Sequence, residues 1–428
     1  MKQIVVVSTD TVLNRKIRYT CAKVSVDFHP VFVKSEEQAL EYLNYELPEI
    51  CVFNFSDEKV DLDRIMASIN EDPWIHYGGI IGVHARDDVE EFEKNLKKNN
   101  IISLIPRHSL DFSLPRVLRI IHQNRQFIFQ REIQSQLLTT IAGSFIIDND
   151  PFDVNTYSNL IVNYLYNANF ISYDFKDRLH LALMELLINA IEHGNCRIAY
   201  AEKSKWLEEG KNIFALIRKK NRNPDIASRK VYFNYRITPA RSYFSIRDEG
   251  EGFDWRGRIQ QITEKNYLML HGRGIMMANL YLQNLSYNDK GNEVSFEIEH
   301  QAQGSNLLPG AFEKTQEVVF EDGETVFTEG EESNFLYYIV SGKLKIISQG
   351  RVLSTLTPAD IFLGEMSFLL NDRRSASVQS EGRTVLLRIS KTAFVTTIRE
   401  SPHYGIFLAR LLAQRLDRLN QRFNTQEM

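Results

Sequence analysis

The sequence predicts a multidomain chain of α/β and α+β modules. A doubly wound parallel α/β module comes first, an α/β sandwich second, and a β-barrel or jelly roll with a C-terminal helix last. Three observations predict this. Short apolar strands alternate with helical patterns over residues 1–112, which implies a parallel sheet covered on both faces. Residues 142–300 set an acid–amide helix ahead of two strand runs and two glycine blocks. From residue 315 the composition turns to short alternating strands broken by glycine, as in a barrel or jelly roll. A length of 428 residues accommodates two to four such units.

Composition narrows the class. Hydrophobic residues make up 43% and charged residues 25%, ordinary for a soluble globular protein. A net charge of −4 argues against a nucleic-acid-binding chain. The three cysteines, Cys21, Cys51 and Cys196, form neither a metal-ligand pattern nor a disulfide framework, which fits a reducing compartment. The apolar runs are far shorter than the roughly 20 residues of a membrane span. Gln3-Ile-Val-Val-Val leads straight into a strand without a signal-peptide shape. A cytoplasmic protein is expected.

In the first module Ile4–Val7, Glu49–Phe53, Gly79–Val83 and Asn100–Ile105 read as buried strands. A fifth strand is expected between Cys21 and Val33, and a helix from Glu36 to Leu43. The pattern resembles a response-regulator receiver domain, of flavodoxin-like fold. That resemblance implies an acidic phosphorylation site, but its positions are altered. Ser8-Thr9-Asp10 follows the first strand, so one acid remains where the family has a pair. Asn54 stands at the phosphoacceptor position, His84 at the hydroxyl position, and Ile105 at the lysine position before Pro106. An amide cannot act as a carboxylate nucleophile. The module is therefore expected to be a pseudo-receiver that docks or dimerises, with Asp57 a loop residue.

Residues 113–141 read as a connecting helix. Val117, Leu118, Ile120, Ile121, Phe127, Ile128, Ile133, Leu137 and Leu138 recur at spacings of about three and four. The pattern suits pairing with a second copy or packing on its own domain. His122 is followed by Gln-Asn-Arg and not by the acid-led block of a phosphorylatable histidine, so it reads as a surface residue.

The central stretch is Glu185-Leu-Leu-Ile-Asn189-Ala-Ile-Glu192-His193-Gly-Asn195. Residues four apart share a helix face, so Glu185 and Asn189 point the same way. Alone, the pair is either a solvated face or a Mg²⁺-nucleotide site, since Mg²⁺ takes oxygen ligands. Two later blocks favour the nucleotide. Asp248-Glu-Gly250-Glu-Gly252-Phe253 follows the strand runs Val231–Ile237 and Tyr243–Ile246. His271-Gly272-Arg273-Gly274 opens an apolar helix running to about Leu282. Glycines ahead of a helix let N–H groups approach a phosphate. The three blocks together resemble the GHKL ATP-binding domain shared by histidine kinases, gyrase and Hsp90-type ATPases. Within it they are most similar to the anti-sigma-factor serine/threonine kinases of bacterial partner switching.

That resemblance implies Glu185 as the catalytic acid, Asn189 as the Mg²⁺ ligand and Asp248 as the acceptor for the adenine amino group. Gly250 and Gly252 would shape the pocket floor, and Gly272, Arg273 and Gly274 would line the phosphates. The residues between Phe253 and His271 would be a short ATP lid. Between about Arg197 and Lys230, ten Lys or Arg stand against four acids. This insertion either docks an acidic partner or is a solvated helix and loop.

Residues 301–314 read as a linker. Beyond it Thr325–Phe327, Leu336–Val340, Leu344–Ile347, Val352–Leu353 and Val385–Ile389 read as strands. Between the last two, Gly364-Glu365 opens a short helix and Arg374-Ser375-Ala376 follows after nine residues. An arginine gives a charged fork to phosphate oxygens, and the N–H groups of a helix start add donors. The block resembles the phosphate-binding cassette of cyclic nucleotide-binding domains, as in catabolite activator proteins and regulatory subunits of protein kinase A. The resemblance implies that Gly364, Glu365, Arg374, Ser375 and Ala376 surround cAMP or cGMP, with Glu365 accepting the ribose 2′-OH. Glu329-Gly330 and Ser341-Gly342-Lys343-Leu344 match the turns of that family's barrel. Phe407, Leu408, Leu411, Leu412, Leu416 and Leu419 form an amphipathic pattern similar to the family's lid or dimer helix. The chain stops at Met428, too soon for a helix-turn-helix domain, so a transcription factor is not expected.

The expected protein is a cytoplasmic signalling regulator, an ATP-binding serine/threonine-kinase-like protein of anti-sigma type controlled by cyclic nucleotide. Its ligands would be ATP, Mg²⁺ and cAMP or cGMP. Its partner would be a protein, such as an anti-anti-sigma-type substrate. Neither DNA nor membrane is expected, and homodimerisation is left open. The alternative is a non-catalytic adaptor, gated by ATP and cyclic nucleotide, that sequesters a partner. A histidine kinase is disfavoured because no acceptor-histidine block is present.

Overall fold

The computed structural model describes residues 2–25, 27–72, 76, 78–85, 99–128, 140–168, 170–238, 240–253, 255, 282–300, 312 and 315–413. Among them no helix is long and apolar enough to cross a membrane.

Strands β1 (Lys2–Val7), β2 (Phe28–Val33), β3 (Ile50–Asn54), β4 (Gly79–His84) and β5 (Ile101–Pro106) pair in parallel, in the order β2-β1-β3-β4-β5. Every residue of β3 and β4 is buried, as a parallel sheet covered on both faces requires. The period of two then divides the core. Ile4, Val6, Val52 and Val83 face the helices Thr11–Val24 and Leu110–Gln123. Val5, Val7, Cys51 and Phe53 face Glu36–Glu46 and Leu62–Glu71. Asp10, Ser35 and Asp61 cap three of these helices through side-chain oxygens.

The helix expected over 113–141 stops at Gln123. A 3₁₀ turn follows at Arg125–Phe127, and Ile141 already belongs to a strand. Leu114, Val117, Leu118, Ile120 and Ile121 are buried in the module's own core. The described part of this helix thus packs on its own domain. Ile133, Leu137 and Leu138 lie outside the described residues.

The second sheet is antiparallel, in the order β6-β7-β8-β10-β9, from β6 (Ile141–Ile147), β7 (Val231–Ile237), β8 (Arg241–Arg247), β9 (Gln283–Tyr287) and β10 (Glu293–Glu299). Strands β7, β8 and β10 bury every second residue, so one face is covered. The helices Pro151–Asn167 and Tyr173–Asn189 supply buried residues to the same core. The charged insertion is built as three helices, Tyr200–Glu208, Ile213–Lys220 and Pro224–Ala227.

The first two modules share one hydrophobic core that runs from Ile4 to Ile298. The helix Pro151–Asn167 also covers the free edge of β5. Asn159 Nδ2 donates to the Ile102 carbonyl at 3.1 Å and Asn163 Nδ2 to that of Ile101 at 2.8 Å, which satisfies an edge that would otherwise offer unpaired groups. Arg116 bridges Asp150 and Asp153, each at 2.5 Å.

The third module is a sheet of β11 (Gln316–Phe320), β12 (Thr325–Phe327), β13 (Phe335–Ser348), β14 (Arg351–Leu356), β15 (Phe362–Leu363) and β16 (Ser377–Ser390). Here one expectation is corrected. Leu336–Val340 and Leu344–Ile347 belong to the single strand β13, and Ser341-Gly342-Lys343 is not a turn. The register against β16 slips there instead. Gly342 has a φ of 100°, and a Cβ on it would lie 2.6 Å from Thr384 Cα. A glycine can open a bulge where the neighbouring backbone comes this close, so it reads like a turn residue while the ladder continues. Gly330 does sit in a turn, at φ 83°. The helix Lys391–Glu400 and a helix over 403–413 close the module. Leu416 and Leu419 lie outside the described residues.

Candidate functional site

The helix Tyr173–Asn189 is capped by Ser172 and buries Leu179, Ala182, Leu183, Leu186 and Leu187. That face fixes its rotation, so Asn189 comes to the rim of the second module's cavity while Glu185 stays exposed. Asn189 Nδ2 donates to Glu185 Oε1 at 3.5 Å, so the two share a face as the spacing predicts. Past Asn189 the backbone widens into a π turn, Ala190–Asn195, a device frequent at functional sites.

The π turn brings Gly194 against Asp248. A Cβ on Gly194 would lie 2.3 Å from Asp248 Cγ, and one on Gly250 would lie 2.5 Å from the Gly194 carbonyl oxygen. Asp248 follows β8 and is clamped on several sides. Its N–H donates to Asn292 O at 3.0 Å, Asn292 Nδ2 donates back to Asp248 O at 2.9 Å, and Gly250 N–H donates to Asp248 Oδ1 at 2.8 Å. Burial raises the Asp248 carboxyl to about 6, against the pull of the Gly250 N–H and of Lys290. Gly252 has a φ of 80°, and a Cβ there would lie 1.9 Å from Lys290 O. Lys290 Nζ in turn donates to Gly250 O at 2.9 Å.

Above Asp248 is a cavity of about 140 Å³. Leu186, Ile246, Phe253, Tyr287 and Val294 are its apolar walls, and Asp248 and Asn189 are polar groups at its lining. A flat, mostly apolar slot with one half-buried carboxylate suits a heteroaromatic ring carrying an amino donor. Asn189, Asp248 and Gly252 line the cavity, and Gly250 packs behind them against Gly194 and Asp248; Glu185 is not part of the lining. Gly272, Arg273 and Gly274 lie outside the described residues.

Several residues were not picked out by motif reading. Gly194 and Asn195 lie inside the quoted helix block without a role, yet Asn195 ties the site together. Its Oδ1 accepts from Glu249 N–H at 2.8 Å, and its Nδ2 donates to Asn149 Oδ1 at 2.8 Å. His193 stacks on Tyr200 with ring centroids 4.1 Å apart. Tyr287 ends β9, and Asn292 lies in the turn just before β10. The Gly-Asn pair at the end of a helical pattern was the one local signal available.

The second constellation lies in the third module. Arg374 is 4% exposed. Its Nη1 donates to Gly364 O at 3.0 Å and Ser367 Oγ at 3.2 Å, and its Nη2 to Phe335 O at 2.5 Å. The guanidinium lies 4.1 Å over the Phe327 ring, and burial lowers its pKa. Arg374 Nε is buried with no hydrogen-bond partner among the described residues, which fits an anionic acceptor there. Gly364 holds φ 76°, and a Cβ on it would lie 2.2 Å from Arg374 Nη1. Glu365 is buried at the start of the short helix Glu365–Leu370, while Ser375 is exposed and Ala376 half-buried after Arg374.

Comparison with known proteins agrees with both constellations. Residues 149–298 match the family described as "Histidine kinase-like ATPase domain" and residues 317–401 the family described as "Cyclic nucleotide-binding domain". The chain is 35% identical over 106 residues to the "Cyclic AMP receptor protein" of Thermus thermophilus. It is 36% identical over 110 residues to the "CRP-like cAMP-activated global transcriptional regulator" of Mycobacterium tuberculosis. Each alignment covers 24% of this chain and 49% of the relative, so the chain spans about half the length of these relatives. The crystal structure of Thermus thermophilus catabolite activator protein aligns at 30% identity and TM-score 0.25, covering 27% of this chain and 57% of that chain. The chain carries a histidine-kinase-like ATPase domain followed by a cyclic nucleotide-binding domain.

Proposed function

We propose that the chain is a cytoplasmic signalling regulator that binds ATP in a serine/threonine-kinase-like domain of anti-sigma type under control of a cyclic nucleotide. The observation that carries the reading is Asp248, a half-buried carboxylate lining a mostly apolar cavity and backed by Gly194 and Gly250. In this reading Asp248 accepts the adenine amino group and Gly250 and Gly252 let the ring approach. Asn189 holds Mg²⁺, with the nucleotide supplying further oxygens. Glu185 orients or deprotonates the attacking hydroxyl, and Gly272, Arg273 and Gly274 cradle the phosphates. Arg374, with Gly364, Glu365, Ser375 and Ala376, holds the cyclic phosphate and ribose. Relatives named for cAMP favour cAMP over cGMP.

The first module serves as a pseudo-receiver. Support comes from its strand order, shared with the flavodoxin-like folds, and from Asn54, buried and donating to Ser8 Oγ at 3.2 Å. The units proposed are 1–112, 142–300 and 315–428, joined by 113–141 and 301–314. The target is a protein, such as an anti-anti-sigma-type substrate. One observation favours a second reading, a non-catalytic adaptor: Glu185 is exposed and lies outside the cavity lining.

Transfer from γ-labelled ATP into an extract of the source cells, with and without cAMP and cGMP, separates the readings. A labelled protein band that responds to one cyclic nucleotide and disappears with Glu185→Ala is expected. ATP binding without label under every condition would establish the adaptor. No ATP binding would remove both.

A further inference from the structure

The helix over 403–413 has two jobs. On one side Tyr404, Phe407, Leu408 and Leu411 complete the core of the third module together with Phe368. On the other side it reaches the first module. Tyr404 Oη donates to Asp72 Oδ2. Arg410 Nη1 donates to the Glu46 carbonyl at 3.1 Å, and its Nη2 lies 3.7 Å from the Glu46 carboxylate. His403 meets the edge of Tyr45 at 6.4 Å. Leu47, which ends the helix Glu36–Glu46, is half-buried and packs against the third module's core. It does so from a left-handed backbone, φ 50° and ψ 60°. That conformation is disfavoured for an L-residue with a Cβ.

The same core leads to the phosphate cassette. Phe368 lies on the helix Glu365–Leu370, packs on Phe394 at 5.4 Å and touches the cluster holding Tyr404 and Phe407. One residue before it, Ser367 accepts from Arg374. Arg374 and Glu365 are both less than a tenth exposed, and Gly364 closes directly on the guanidinium. A ligand engaging these buried groups must shift the cassette helix, on which Phe368 lies.

We propose that the 403–413 helix is a latch between the cyclic nucleotide domain and the first module, closed on Glu46, Leu47 and Asp72 and released by the cyclic nucleotide. The proposal rests on the cyclic-nucleotide reading above. In this proposal movement of the cassette and docking of the latch oppose each other, so linkage requires that weakening the latch tighten the ligand.

The test is titration of the full-length chain with cAMP by calorimetry, alongside hydrogen exchange at the amides of residues 46, 47 and 72. Leu47→Gly keeps the left-handed turn and removes the wedge. Arg410→Gln removes the contacts to Glu46 and serves as a second variant should the first fail to fold. Both variants are expected to bind cAMP at least about fivefold more tightly than the wild type, and cAMP is expected to speed exchange at residues 46 and 47 in the wild type. Equal or weaker binding by both variants, with the wild type still binding, would overturn the latch and leave the cyclic-nucleotide reading standing. No heat from the wild type with either cAMP or cGMP would overturn that reading and the latch with it.

Discussion

Two half-buried ionisable residues set opposite pH responses. Asp248 has its carboxyl raised to about 6 by burial. The ionised form is the better acceptor for an amino donor, so ATP affinity should fall as the pH drops from 7 to 5, and Asp248→Asn should flatten the profile. Asp248→Ala removes the acceptor and should weaken ATP about ten- to a hundredfold, the scale of a hydrogen bond to a charged group, about 1.5–3 kcal/mol. Fluorescent-ATP titration reads both.

His76 behaves the other way in stability. Burial first, and the nearby His403, lower its pKa from 6.5 to about 4, opposed in part by the Asp72 backbone. Its Nε2 lies 2.9 Å from Asn44 Oδ1. The unfolded chain therefore binds the proton more tightly. The stability contribution is complete above pH 6.5 and is lost as the pH falls through 6.5 toward 4, by up to about 3 kcal/mol. Asp248 has its folded pKa above its unfolded one, so its own contribution moves the opposite way over about pH 3.8 to 6. Denaturant unfolding of His76→Gln beside the wild type at pH 7 and pH 5 isolates the histidine. The variant should lose less stability on acidification than the wild type.

At the scale of elements, glycine decides where chain segments touch. Gly364 and Gly342 both hold positive φ, and at each a Cβ would collide with a neighbour. At Gly364 the neighbour is the end of the Arg374 side chain, so Gly364→Ala should displace the guanidinium and lower cAMP affinity at least about tenfold while the module still folds. At Gly342 the neighbour is the Thr384 backbone, which cannot swing away. Gly342→Ala should therefore lower the melting temperature of the third module, with a cost of about 1–3 kcal/mol. A ligand titration and a melt distinguish the two classes of glycine.

The same scale shows what local pattern reading reaches. The strands β1, β3, β4, β7 and β8 were legible because periodicity and β-branched runs are local properties. The connecting helix was read too long, because residues 120–128 stay apolar at helical spacing while the chain itself turns at Asn124. The bulge at Gly342 was read as a turn because a glycine signals freedom of φ and does not say whether the ladder resumes.

At the scale of the molecule, the cores predict how it comes apart. One core joins the first sheet to the second, whereas the third module has its own clusters. Calorimetry of the full chain should show two transitions, one for the shared core of the first two modules and one for the third. ATP should raise the first. Cyclic nucleotide should raise the second, by about 2.7 kcal/mol at a hundredfold excess over Kd. A single transition unaffected by either ligand would contradict this division.

The sequence by itself determined the order of modules and the two short cassettes, Asp248–Gly252 and Gly364–Ala376. In each, residue spacing and glycine backbone freedom are contiguous properties that survive without knowledge of the rest of the chain. Tertiary structure alone decided that Gly194 backs Asp248, that Asn292 clasps it, that the Phe335 carbonyl holds Arg374, and that Tyr404 meets Asp72. These pairs are 39 to 332 residues apart. No local periodicity encodes them, because they exist only once buried surfaces from separate segments have been driven together.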